Sequence, residues 1–484
     1  MPAVARHVVI VGGGITGLAA AYALSERSSS DPTAASSVTC TLIEASHRLG
    51  GKILTEQVGE FVLEAGPDSF LAQKPWGIEL CRRLGLSDQL IGTNPAHRRT
   101  FVLLKGRLHE LPEGLIMGLP TRIGPFLRSS LLSWKGKLRL AAEPLIPRGP
   151  GGDESLGSFF RRRLGQEALD HMIEPLLTGI YTGNADELSL LATFPRFREM
   201  EQEHGSLLRA VLAAKWKERN RKEKAAPPWT PFVTLRDGLN TLVQAISHKL
   251  QQTTILTGVS VRALRRHDRQ AGYDVSVDDR PPLRADAVIL TTPAYDAAVL
   301  LEPLDPSLAE ELRGIPYASS VIVSLAFAKE GLLHDLDGYG FVVPRVENRR
   351  LIACTWASSK WEHRAPEDTV LIRCYLGGVG REAIMEKTDN ELEQIARAEL
   401  RAIMGIEQAP MLARVYRWPR AMPQYQVGHV HRLEAIGARQ EHLPGLFLAG
   451  AAYRGVGLPD CIRDGTAAAE AVLRYFDKDL PGSV

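Results

Sequence analysis

The residues from His7 to Val11 (HVVIV) form a short β-branched apolar run, the pattern of a strand buried on both faces of a parallel sheet. Three glycines follow, and Leu18 to Leu24 (LAAAYAL) then reads as a small-residue helix packed close to that sheet. Ser28 to Ser37 is a polar stretch rich in turn formers and reads as a loop. A second apolar strand, Val38 to Ile43, ends at Glu44 and completes a βαβ unit.

Two turn-rich stretches come next, Arg48 to Lys52 and Glu64 to Ser69. From about residue 90 to residue 224 the pattern turns helical and basic, broken by a loop at 147–153. Near residue 230 it changes again: a turn leads into a helix, and Thr253 to Val259 and Ala287 to Leu290 read as strands. Residues 317–376 alternate in strand fashion, and 381–404 make an amphipathic helix. The chain then offers a strand ending at Gly450 and a long helix from about Gly465 to Phe476. No internal repeat is present.

Composition changes this picture little. A chain of 484 residues is expected to hold about three domains. With 44% hydrophobic and 24% charged residues it has the make-up of a globular enzyme. A net charge of +2 gives no reason to expect nucleic acid as a partner. The basic runs Arg161-Arg162-Arg163 and Lys215 to Lys224 read as solvated helix faces. Five scattered cysteines with no CxxC pair indicate neither a zinc site nor a disulfide scaffold, and no metal site is expected. That usage fits a reducing, cytoplasmic setting. The first strand begins so early that no room is left for a separate signal peptide. No apolar run is long enough to span a bilayer, which leaves peripheral membrane contact open.

The chemistry starts at Gly12-Gly13-Gly14-Ile15-Thr16-Gly17. A dinucleotide pyrophosphate needs close backbone approach. Gly12 permits the tight turn, Gly14 keeps a side chain out of the pyrophosphate's path, and Gly17 lets helix and strand pack closely. The helix N-terminus then presents unpaired N–H groups to the phosphates. Glu44 stands at the end of the second strand, where it can accept hydrogen bonds from both ribose hydroxyls and would repel a 2′-phosphate. Its distance from Gly17 exceeds the usual spacing of about 20 residues, and the polar loop accounts for the excess. Arg48-Leu49-Gly50-Gly51 makes a second glycine turn beside the pyrophosphate, with an arginine able to lie along the dinucleotide. This arrangement favours FAD over NAD. No second GxGxxG after a strand provides a nicotinamide site.

At the other end of the chain, Gly450 to Ile462 (GAAYRGVGLPDCI) precedes a helix and would bring further backbone N–H groups towards an electron-rich flavin. With this segment the sequence resembles the oxygen-dependent, FAD-containing protoporphyrinogen/coproporphyrinogen oxidases of haem synthesis. The resemblance rests on GGGITGLAAAYAL at 12–24, EASHRLGGKI at 44–53, EAGPDSF at 64–70, EPLLTGIYTGNADELSL at 174–190, TLRDGLNTL at 234–242 and LAGAAYRGVGLPDCI at 448–462. The first two motifs are shared with amine oxidases and carotenoid desaturases. The 174–190 stretch and GVGLPDC are more specific, and GVGLPDC looks like the bacterial branch acting on coproporphyrinogen III.

The resemblance implies an α/β fold of the flavin amine oxidase-like superfamily: a discontinuous Rossmann-like FAD-binding domain (1–90, 225–295 and 411–484), a helical domain (91–224) and a mixed-sheet substrate domain (296–410). It places FAD contacts on Gly12 to Gly17, Glu44, Ala45, Arg48, Gly51, Lys52, Gly66, Pro67, Asp68, Ser69, Val259, Trp418, Ala451, Val456, Gly457 and Leu458. In the animal members an aromatic residue stands where Lys52 stands here. It implies six-electron aromatisation of a porphyrinogen in three flavin cycles, with O2 as acceptor and hydrogen peroxide as product. A product of that kind would be handed to a ferrochelatase.

The protein's part is then to hold a flat macrocycle against the flavin and anchor its carboxylates. No catalytic dyad is expected, and none of the thirteen histidines is assigned a role. By the same resemblance Gly179, Ile180 and Tyr181 line the substrate pocket. Arg99, or Arg98 beside it, pairs with a propionate, and Lys74 is a second anchor. Protoporphyrinogen IX is the alternative substrate. A flavin amine oxidase, a carotenoid desaturase and a non-catalytic FAD module are more remote.

Overall fold

The computed structural model describes residues 6–30, 38–112, 114–116, 119–120, 122–220, 229–267, 271–278 and 280–478. The first sheet is parallel throughout, as the unbroken apolar runs require. Its five strands lie in the order Thr253–Thr257, Val38–Glu44, Arg6–Val11, Ala287–Leu290 and Leu446–Leu448. Arg6–Val11 pairs with Val38–Glu44 on one side and Ala287–Leu290 on the other, so the strand order reverses at the strand that feeds the glycine turn. Open parallel sheets bind ligands at that switch point, outside the carboxyl ends of their strands. The sheet draws on three separated stretches of chain, as expected of a discontinuous nucleotide-binding domain.

The helix Ile15–Ser30 lies against this sheet through Leu18, Ala19, Ala20 and Ala21, all buried. It runs through Ser28–Ser30, so the start of the stretch expected as loop is helical; residues 31–37 lie outside the described residues. The helix Leu458–Lys478 packs across it, and a Cβ on Gly465 would stand 2.2 Å from the Thr16 carbonyl oxygen. That helix begins at Leu458, inside GVGLPDC rather than after it.

The second sheet is mixed, with seven strands in the order Leu412–Pro423, Tyr317–Ala328, Thr369–Gly377, Leu351–Trp356, Gly340–Val342, Thr100–Leu104 and Arg107–Glu110. The last two form a hairpin in a region that reads as helical, and Thr100–Leu104 joins the sheet in parallel beside Gly340–Val342. The strand Leu412–Pro423 lies in this sheet as well, although the sequence division at 410 assigns it to the nucleotide-binding domain. The amphipathic helix is Asp389–Met404, started by a Thr388–Glu391 capping box.

Helices between Ile123 and Asn220 make a third block around Phe159, Phe160 and Phe197. The run at 161–163 is not a solvated face. Arg163 is fully buried against Glu143, and Arg162 binds Glu201 at 2.7 Å and Glu154 at 2.9 Å; only Arg161 is on the outside, paired with Asp186. The run Lys215 to Lys224 is helical to Asn220, and 221–224 lie outside the described residues. All five cysteines are buried and unpaired, and no metal-binding cluster occurs among the described residues.

Candidate functional site

At the switch point the three glycines have distinct geometric reasons. Gly12 adopts φ +110° and has Thr291 at its back, whose hydroxyl donates to the Gly12 carbonyl at 2.9 Å. A Cβ on Gly17 would fall 1.9 Å from that same carbonyl oxygen. A Cβ on Gly14 would meet nothing within 4 Å, so this residue faces open space where the helix N–H groups also point. The second glycine turn is fastened to the first: Gly50 N donates to Gly13 O at 2.8 Å, and a Cβ on Gly51 would stand 3.1 Å from Gly14 Cα. An open, backbone-lined slot at a helix N-terminus fits a pyrophosphate.

Glu44 receives Gly13 N at 2.6 Å on one carboxylate oxygen and Ser46 N at 2.8 Å on the other. Each oxygen keeps a free acceptor position for a ribose hydroxyl. Val259 N binds the Glu44 carbonyl, which puts Val259 beside it, while Ala45 lies on the exposed side. Arg48, expected along the dinucleotide, is tied to the second glycine turn. Its guanidinium donates to the carbonyls of Ile53 at 3.0 Å and Gly51 at 2.6 Å and so braces the loop. Burial pulls it below the ordinary arginine range, with Glu44 opposing.

The stretch Glu64–Phe70 is held by buried charges that the sequence does not announce. Arg373, fully buried on the strand Thr369–Gly377, donates to Gly66 O at 2.6 Å and stands 3.3 Å from Asp68. Lys360 is 3.2 Å from Asp68, and Trp361 donates to it at 3.3 Å. Burial alone would raise the Asp68 carboxyl, but Lys360 and Arg373 hold it well below the usual carboxylate range. Arg364 donates to Leu235 O, Thr234 and Arg236 O and lies 3.7 Å from Glu64. Trp418 donates to Ala65 O at 2.6 Å, and a Cβ on Gly66 would meet the Lys52 carbonyl at 2.0 Å. Lys52, Gly66, Pro67, Asp68, Ser69 and Trp418 therefore share one neighbourhood.

From the far end of the chain, Tyr425 ties the C-terminal loop down. Its hydroxyl donates to Ala451 O at 2.6 Å and accepts from Gly455 N at 2.8 Å, and its ring stacks on His429 at 4.1 Å. Tyr181 packs against Tyr425 with ring centroids 5.7 Å apart, joining the 174–190 motif to this loop. Val456 packs on the helical block, and Leu458 and Cys461 are buried at the start of the last helix. Burial pushes the Cys461 thiol up to about 11, and burial lowers the Lys52 ammonium next to it.

The expected substrate anchors fare differently. Lys74 is bonded to Asp460 of GVGLPDC at 2.5 Å, so its ammonium is already partnered. Arg99 pairs with Asp337, which also binds His97 at 2.9 Å, and Arg98 is exposed. Gly179 and Ile180 do face solvent, while Tyr181 is buried. Gly179 lines a small, solvent-open cleft with Glu174, Gly377, Gly378, Arg345 and Arg381. Those two arginines escaped the sequence reading. The turn Gly377-Gly378-Val379-Gly380, all three glycines at positive φ, was the available signal.

A nucleotide slot at the switch point of a parallel sheet, a second mixed sheet alongside it and a C-terminal helix returning to the slot define a two-sheet flavoprotein oxidoreductase. The chain belongs to the family of flavin containing amine oxidoreductases, matched over residues 15–473, and FAD is its cofactor. It is 39% identical over 473 residues to the coproporphyrinogen III oxidase of Bacillus subtilis (strain 168), covering 97% of this chain and 98% of that protein. It is 32% identical to the chloroplastic protoporphyrinogen oxidase 1 of Spinacia oleracea, covering 97% of this chain and 84% of that protein. A crystal structure from Exiguobacterium sp. 255-15 superposes with a TM-score of 0.85 at 34% identity, covering 98% of this chain and 99% of that one. Cyclohexylamine oxidase from Brevibacterium oxydans IH-35A, at 17% identity and TM-score 0.68, shares the fold.

Proposed function

We propose that this chain oxidises coproporphyrinogen III to coproporphyrin III, with O2 as electron acceptor and hydrogen peroxide as product. The observation that carries this reading is the 39% identity, over nearly the full length of both chains, to the Bacillus subtilis coproporphyrinogen III oxidase. Bound FAD supplies the two-electron acceptor chemistry, used three times per macrocycle. The residues' own work is binding and orientation. Gly12 to Gly17 and Gly51 give the pyrophosphate its slot, and Glu44 takes the ribose hydroxyls. Gly66 to Ser69, Lys52, Trp418, Ala451 and Val456 to Leu458 surround the ring end. Gly179 leaves a flat face for the tetrapyrrole, and Tyr181 behind it fixes that face to the cofactor loop.

The reading places the enzyme in the cytoplasm, handing its product to a ferrochelatase. Peripheral membrane contact is supported by the helical block, where Trp134, Leu138, Leu212 and Trp216 are each more than 60% exposed near Lys135 and Lys217; no described helix is long and apolar enough to cross a bilayer. Protoporphyrinogen IX is the second reading, favoured by the plant relatives.

The test is porphyrin fluorescence in air with coproporphyrinogen III, protoporphyrinogen IX or a polyamine under identical conditions, with peroxide measured alongside. The expected order is fastest appearance with coproporphyrinogen III and no reaction with the polyamine. Inactivity on both porphyrinogens overturns the proposal.

A further inference from the structure

The cleft beside Gly179 is lined by two arginines, Arg345 and Arg381. Arg345 donates from Nη1 to Val379 O at 3.4 Å and lies 3.7 Å from the buried carboxylate of Glu174. Arg381 is half-buried on the same cleft, held by its own backbone N–H on Gly378 O at 3.0 Å. Its guanidinium makes no hydrogen bond or ion pair among the described residues. The other carboxylates nearby are engaged: Glu399 lies 3.7 Å from Arg349, and exposed Glu382 accepts Gly380 N at 2.9 Å. Two arginines thus line one cleft, Arg345 paired with Glu174 and Arg381 with no carboxylate in ion-pair range among the described residues, Glu174 and Glu399 acting on it only at longer range. Burial and the cation of Arg345 both pull Arg381 below its ordinary range. Such a pair is relieved by an incoming anion, and a planar fork is matched to a carboxylate.

The backbone around these arginines suits a flat ligand. Gly179 faces open space, and Gly378, at φ +91°, has the Thr182 carbonyl where a Cβ would come to 2.8 Å. The cleft also lies at the cofactor end of the mixed sheet. Ser320 pairs with Gly377 on one side and Trp418 on the other, so Gly377 and Trp418 are two strand spacings apart, roughly 10 Å.

We infer that Arg345 and Arg381 form a clamp for a substrate carboxylate, with Arg381 the binding group and Arg345 held in place by Glu174. The inference rests on the porphyrinogen reading and deepens it. Coproporphyrinogen carries a propionate on each of its four pyrroles, and protoporphyrinogen on two. The clamp takes a propionate that protoporphyrinogen lacks, which makes it a determinant of substrate choice.

The test uses FAD-loaded protein and fluorescence titration with coproporphyrin III and protoporphyrin IX. Arg381→Gln is expected to weaken coproporphyrin III binding about tenfold, equivalent to about 1.4 kcal/mol. Protoporphyrin IX binding should stay within about twofold, with the flavin spectrum and content unchanged, and Arg381→Lys should restore part of the loss. High salt should narrow the difference, since the contact is open to solvent. Unchanged coproporphyrin III binding in Arg381→Gln, with an active wild type, overturns the clamp alone. Equal loss of both porphyrins also overturns it, by assigning Arg381 to the shape of the cleft. A wild type that neither binds coproporphyrin III nor oxidises coproporphyrinogen III overturns the porphyrinogen reading itself, and the clamp with it.

Discussion

Lys74 and Asp460 meet at 2.5 Å across 386 residues of sequence, and their bond ties the segment after the first nucleotide-binding motifs to the start of the last helix. Asp460 is nearly buried, and the same carboxylate crowds Gly455 and Gly457, where a Cβ would approach it to 2.9 Å or closer. Lys74 therefore acts on the cofactor loop. Lys74→Met is expected to lower thermal stability by a few degrees and to speed flavin release, because a buried carboxylate loses its charged partner, at a cost of about 1–3 kcal/mol. Scanning fluorimetry and flavin release on dilution measure both. A raised KM with normal stability would instead return Lys74 to the role of substrate anchor.

The two glycines of the first turn should fail in different ways. Gly14→Ala has room for its methyl group, so the protein should fold and be isolated largely without flavin. Gly17→Ala drives a methyl into the Gly12 carbonyl and should cost more than the usual 1–3 kcal/mol of overpacking, giving little soluble protein. Circular dichroism and the flavin-to-protein absorbance ratio separate the outcomes. A flavin-replete Gly14→Ala protein would count against the pyrophosphate slot.

Removing the Tyr425 hydroxyl should loosen the C-terminal loop without disturbing the ring stack on His429. Tyr425→Phe loses the bonds to Ala451 O and Gly455 N, roughly 1–2 kcal/mol, so FAD affinity should fall several-fold or more. Equilibrium titration of the apoprotein with FAD reads this directly. Unaltered affinity would mean that packing alone holds the loop.

Acid stability should depend on Asp68. Its folded carboxyl is held below its unfolded value of about 3.9 by Lys360 and Arg373, so its contribution is present above that pH and is lost as pH falls towards the depressed value. Asp68→Asn is expected to be less stable than wild type at pH 7, with the gap narrowing below about pH 4. Melting temperatures across pH 3–8 check it, and a gap independent of pH would remove the charge argument.

The nucleotide half of this site was readable because its chemistry is local. Gly12, Gly14, Gly17 and Glu44 do their work through backbone shape and strand ends within one βαβ unit. Arg373, Arg364 and Tyr425 act on residues brought close only by sheet pairing or chain return, such as Arg373 on Gly66 across 307 positions. No spacing rule reaches that far. The basic run at 161–163 misled because a period of charges looks the same whether the partners are water or, as for Arg163, a buried Glu143 and Glu201. The hairpin Thr100–Leu104 and Arg107–Glu110 was hidden inside a helical stretch, since its partner strand in the sheet is Gly340–Val342.

The parallel sheet that opens with Arg6–Val11 receives its last strand at Leu446–Leu448, and the helix packed on Ile15–Ser30 runs on to Lys478. During synthesis the first glycine turn leaves the ribosome hundreds of residues before these partners exist. Flavin capture is therefore expected to follow the arrival of Leu446–Leu448 and of the helix packed on Ile15–Ser30, because a chain released earlier lacks both.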